Sequence, residues 1–133
     1  MESGTWVAWC GVAAGGAVGS VARYALSIWG AGLSARWPWG TFAANALGCL
    51  AIGVVMYAAN ARSALPELWR LTLGVGLLGG LTTFSTFSHE TLTLLRQGHL
   101  AGAVAYTFAS LGVGFGGAAL GWWGASRVLG AHG

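Results

Sequence analysis

Apolar residues run along this chain in four long stretches, and polar residues gather in the short gaps between them. A helix that crosses a hydrocarbon core needs about 20 mostly apolar residues, at about 1.5 Å rise each. Four segments meet that length: 6–33, interrupted by Arg23; 38–61, opened by Pro38 between Trp37 and Trp39; 68–95; and 100–128, with Trp122 and Trp123 near its far end. Proline suits the first turn of a helix, and tryptophan suits the level of the lipid headgroups. Because the gaps are short, neighbouring spans are expected to run antiparallel. The pattern predicts an all-α integral membrane protein, one membrane domain over 1–133, with no room for a soluble domain. An enzyme is not expected.

Composition points the same way. Only 7% of the 133 residues are charged, against 56% hydrophobic, and a soluble domain needs about a quarter charged residues to cover its surface. The formal net charge of +3 comes from scattered arginines, so it does not point to nucleic acid. No basic segment precedes the first apolar run, which continues too far for a cleavable signal peptide. Cys10 and Cys49 lie in apolar runs without metal-ligand spacing and read as small packing residues.

Both termini of a four-span chain lie on one side, together with Arg62, Arg70 and Arg127. Arg36 and Arg96 lie on the other, joined by Arg23 if its side chain snorkels outward. The positive-inside rule needs an excess on one side, and here there is hardly any. Insertion in both senses, and an antiparallel dimer, would follow. Small residues recur every fourth position at Gly11, Gly15 and Gly19, at Gly40, Ala44 and Gly48, and at Gly112 and Gly116. Such rows let helices pack closely in lipid.

The third span holds the chemistry: Gly79-Gly80-Leu81-Thr82-Thr83-Phe84-Ser85-Thr86-Phe87-Ser88. Two glycines followed by two β-branched threonines form helix poorly, and a break in mid-membrane is tolerated only where it lines a cavity or is buried in protein. The competing expectation is an unbroken helix whose hydroxyls bond back to carbonyls one turn earlier. Asn45 fits either interhelical bonding or an amide donor turned toward an anion. Phe84 and Phe87 share a face if the segment is helical, as packing or as ring edges toward an anion. Tyr106 and Ser110 place hydroxyls one turn apart. Arg23 is either an interfacial anchor or an attractor of anions into a vestibule. Glu90 either lines a polar mouth or sits at a helix contact. His89-Glu90 lacks the second histidine of a zinc helix, since position 93 is Thr.

The runs Gly19-Ser20-Val21-Ala22-Arg23-Tyr24, Gly40-Thr41-Phe42-Ala43-Ala44-Asn45-Ala46-Leu47-Gly48 and the third-span motif together resemble the Fluc family of bacterial fluoride channels, also called CrcB proteins. The resemblance covers essentially the whole chain. It implies an antiparallel, dual-topology homodimer in the bacterial cytoplasmic membrane, with two fluoride pores that each draw on both subunits. It implies that Asn45, Phe84, Phe87, Tyr106 and Ser110 line the pore, with Thr83 and Ser85 beside them. It also implies that the backbone carbonyls of Gly79 and Thr82 hold a structural sodium ion (Na+) that is not transported. Where the hydroxyl track would continue past Ser110, this chain has Gly114. The alternative, a small dual-topology multidrug or cation exporter, exchanges cations for protons and needs a membrane-embedded carboxylate; Glu2, Glu67 and Glu90 all lie outside the first two spans.

Overall fold

The computed structural model describes residues 3–34, 37–60 and 65–130. Arg36 and Arg62, counted in the charge balance, lie outside the described residues, as does Glu2. Helix α1 is Ser3–Leu33 and α2 is Trp39–Asn60. Helix α3 starts as Glu67–Arg70, widens to a π-helix over Leu71–Leu78 and closes as Gly79–Leu81. Helix α4 is Phe84–Arg96 and α5 is Leu100–Gly130. Counting α3 and α4 as one span, four helices are long and apolar enough to cross a membrane, and the described residues contain no strand.

The third span breaks, though not at its glycines. Gly79 and Gly80 stay helical, while Thr82 (φ −80°, ψ 152°) and Thr83 (φ −152°, ψ 117°) are extended. Packing explains the difference. A Cβ on Gly80 would lie 2.6 Å from the carbonyl oxygen of Gly16, so glycine serves the close approach to α1. The β-branched threonines take the extended backbone that suits them. Thr83 then restarts the helix as the N-cap of α4, its Oγ1 accepting from the Thr86 amide at 3.2 Å.

Two glycine seams hold the bundle. Along the first, α1 lies on the π-helical run, and a Cβ on Gly15 or Gly19 would strike the carbonyls of Thr72 or Leu77. Along the second, α2 lies on α5, with Gly53 against the Ala118 carbonyl and Gly121 against the Leu50 carbonyl. Gly112 and Gly116 face open space, so that row, expected to pack, is not used within the subunit; Gly117 and Gly121 serve instead. Large side chains mostly point outward, Trp6, Trp9, Phe108 and Phe115 among them. The largest buried cluster is small: Phe87, Leu94, Ala103 and Tyr106, with Trp37 and Phe42 packed against it. An inside of backbone and an outside of aromatic and aliphatic groups suit a chain whose solvent is lipid.

Candidate functional site

Residues one helical turn apart share a face, and two such rows meet where α2 and α5 pack. On α2 the row is Thr41, Asn45 and Cys49; on α5 it is Tyr106, Ser110 and Gly114. The broken third span closes the space between them, so that the site takes the form of three rungs.

The first rung is held by Glu90 of α4. Thr41 Oγ1 donates to Glu90 Oε1 at 2.7 Å, and the Tyr106 hydroxyl donates to Glu90 Oε2 at 2.8 Å. Each carboxylate oxygen thus has a donor, and the charge-assisted bonds hold α4 to both partner helices. Trp37 meets Tyr106 edge-on with ring centres 5.5 Å apart, and Phe87 lies 5.3 Å from the same ring. The Trp37 Nε1 is sealed and has no acceptor. A cavity of about 450 Å³ opens on this rung, with Trp37, Thr41, His89, Glu90 and Thr93 in its wall.

The second rung joins Asn45 to the break. Asn45 Nδ2 donates to the Thr83 carbonyl at 3.2 Å, and the Thr83 amide donates to Asn45 Oδ1 at 2.8 Å. The side-chain amide therefore stands in for the helical partners that extended Thr83 has lost. A primary amide has two donors, so one N–H of Asn45 has no partner. Ser110 Oγ, one turn along α5 from the Tyr106 hydroxyl, is sealed and has no partner of good hydrogen-bond geometry among the described residues. Asn45 and Ser110 line a second cavity of about 400 Å³, together with Cys49, Thr82, Thr83, Phe84, Phe87 and Gly114. A buried hydroxyl without a partner is costly in a protein interior, and Ser110 carries that cost beside this cavity. Phe87 lines this cavity and meets the Tyr106 ring, whose hydroxyl bonds Glu90 in the wall of the first.

The structure thus brings Asn45, Thr83, Phe84, Phe87 and Ser110 to one cavity and ties Tyr106 to Phe87 and Glu90. The Phe84 and Phe87 rings lie 5.7 Å apart, but Phe87 is buried while Phe84 is 77% exposed. Ser85 is exposed, with its Oγ 3.2 Å from Thr83 Oγ1. Arg23 and Glu90 are not together: Arg23 Nε donates to the Gly80 carbonyl at 3.0 Å, on the α1 side of the break. Thr41 and Cys49 were not among the expected site residues, and Cys49 read from the sequence as packing. Their four-residue spacing with Asn45 was the available signal.

The break also redirects carbonyls. In a continuous helix the amides of Thr83 and Thr86 would pair with the carbonyls of Gly79 and Thr82. Here those amides are engaged by Asn45 Oδ1 and Thr83 Oγ1. The Gly79 and Thr82 oxygens therefore lose the helical donors that a continuous span would give them. Neutral oxygens without donors suit a hard cation. Among the described residues no three His, Cys, Asp or Glu side chains gather to hold a metal.

The family model described as "CrcB-like protein, Camphor Resistance (CrcB)" matches residues 10–122. A protein of Thermus thermophilus named "Fluoride-specific ion channel FluC" is 48% identical over 104 residues, 77% of this chain and 81% of its own length. Proteins of the same name are 47% identical in Phocaeicola vulgatus, over 82% of this chain and 90% of theirs, and 44% identical in a Roseiflexus species, over 89% and 95%. With its four apolar helices, its third span broken at Thr82–Thr83 and this agreement along most of its length, the chain is a multi-pass membrane protein that belongs to the CrcB-like family.

Proposed function

We propose that this chain is one subunit of a fluoride-selective channel that exports fluoride passively across a bacterial cytoplasmic membrane. The observation that carries the reading is the second rung: Asn45, with one amide N–H uncommitted, and Ser110, whose hydroxyl has no partner among the described residues, both line one cavity at a break in the third span. Fluoride is compact and strongly hydrated, so a selective pore has to replace its water with donors. The names of the relatives support fluoride as the ion. Transport needs no enzyme chemistry. An inside-negative potential drives one negative charge outward by about 2.3 kcal/mol per 100 mV.

The working unit is an antiparallel homodimer inserted in both senses. The outward-facing Phe84 and Phe115, beside a cavity that one subunit leaves open, support a second subunit there. A structural sodium ion fits the redirected carbonyls of Gly79 and Thr82. These residues would hold it through backbone oxygens, and its positive charge would offset the cost of anions nearby. Liposomes containing the purified protein test the reading. The reversal potential is expected to follow a fluoride gradient and to ignore chloride and sodium gradients; a chloride-following potential sinks fluoride selectivity, and a sodium-following one sinks the trapped sodium ion.

A further inference from the structure

The third rung carries an inference about what ends the donor track. On α5 the row that begins with Tyr106 and Ser110 continues to Gly114 and Ala118, neither of which has a polar side chain. On α2 the matching residue is Cys49, and its Sγ lies 3.6 Å from where a Cβ on Gly114 would stand. The sulfur therefore lies against the bare flank of α5 in the cavity wall that also contains Asn45 and Ser110. One turn further on, Gly53 packs on the Ala118 carbonyl and the two backbones close together. Cys49 is thus the last side chain with a hydrogen-bonding atom on the α2 row before that seam.

We propose that the Cys49 thiol is a specificity-determining donor for the transported anion, supplying from α2 the hydrogen bond that Gly114 cannot supply from α5. The inference rests on the channel reading above. A thiol donates a weaker hydrogen bond than a hydroxyl, so it assists desolvation of a small anion without holding it tightly. Glycine at position 114 is part of the arrangement, because it puts no side chain between the sulfur and α5. A Cβ there would meet the sulfur at ordinary contact distance, so small side chains fit.

The test moves the donor from one helix to the other. In fluoride efflux from liposomes, Cys49→Ala is expected to slow flux by about fivefold, the worth of one hydrogen bond of about 1 kcal/mol. Adding Gly114→Ser to that variant supplies a hydroxyl from α5 and is expected to restore flux. Adding Gly114→Ala supplies volume without a donor and is expected not to. Equal rescue by alanine and serine would mean that Cys49 only fills space, and a Cys49→Ala channel at the wild-type rate would also overturn the proposal. Silver ion, a small thiol-seeking cation, gives a second readout that does not depend on the double variants folding. It is expected to block the wild type and the Cys10→Ser variant, and to spare Cys49→Ser. Block that persists in Cys49→Ser, or no block of the wild type, removes Cys49 from the path. A wild-type protein that passes no fluoride at all overturns the channel reading itself.

Discussion

The Asn45 side chain commits its carbonyl and one N–H to the backbone of Thr83, which leaves the second N–H for the cavity. Interhelical bonding and anion donation, alternatives when the sequence alone is read, are compatible in one amide because it has two N–H donors and the Thr83 carbonyl takes only one of them. Asn45→Asp is therefore expected to fail twice. It places an acceptor opposite the Thr83 carbonyl, and it places a negative charge where an anion has to enter. A loss of about 2–3 kcal/mol is a fall in fluoride flux of about 100-fold, measured as efflux while gel filtration checks that the protein still assembles. Efflux near the wild-type rate would show that the free N–H has no part in conduction. At this scale the sequence was most informative where a polar group interrupts an apolar run. Asn45, Glu90, Tyr106 and Ser110 stood out for that reason. Thr41 and Cys49 did not, because a short hydroxyl or thiol is ordinary inside a membrane helix, and only the facing helix gives each its partner.

At the scale of the element, the break in the third span was legible to within the Gly-Gly-Leu-Thr-Thr stretch, and which of its residues leave the helix was not. Glycine and threonine both disfavour helix in isolation, but only tertiary contact decides which of them yields. Gly80 is held helical against Gly16 and Ser20 of α1, with Arg23 donating to its carbonyl, and the extended backbone falls at Thr82 and Thr83. The π-helical run Leu71–Leu78 left no mark in the sequence, since its leucines, valine and glycines read the same as those of an ordinary span. The packing makes a prediction about which substitutions matter. A side chain at Gly80 has to displace backbone of α1, at 2.6 Å from the Gly16 oxygen and 3.2 Å from the Ser20 amide nitrogen. Thr82 Oγ1 only bonds the Leu78 carbonyl, at 2.8 Å, and serine keeps that hydroxyl. Gly80→Leu is expected to abolish assembly or flux, and Thr82→Ser to change either by less than about threefold, within the energy of one weakened local contact. Thermal melts and efflux on both variants decide it; a Gly80→Leu protein that assembles and conducts normally would show that the α1 seam yields freely.

At the scale of the whole molecule, the four spans were readable because lipid leaves a chain few choices: long apolar helices satisfy every backbone group internally. Which helices pair was less readable. The described residues of α5 carry so many glycines that a four-residue row can be drawn along more than one face, and within the subunit the row that packs is Gly117–Gly121 rather than Gly112–Gly116.

The two ends of the molecule bear on its orientation in the membrane. Trp6, Trp9, Trp69, Trp122 and Trp123 belt the end that carries the chain termini, where Arg127 lies 5.1 Å over the Trp123 ring. Trp29, Trp37 and Trp39 belt the other. Aromatic belts occur at both faces of a bilayer and so give no sense of insertion, which leaves the arginines to decide. Among the described residues Arg70 and Arg127 at one end stand against Arg96 at the other, the sequence adds Arg62 to the first and Arg36 to the second, and Arg23, bonded to Gly80 within the bundle, adds to neither. Against so small a difference, both orientations are expected in one cell. Gly4 and Gly124 have open space around them, so cysteine fits at either. In a background of Cys10→Ala and Cys49→Ala, a Gly4→Cys protein in intact cells should be labelled in part by an impermeant thiol reagent, with the remainder labelled only after the membrane is opened. Complete labelling from the outside, or none before opening, would mean a single orientation and would end the antiparallel assembly proposed for this chain.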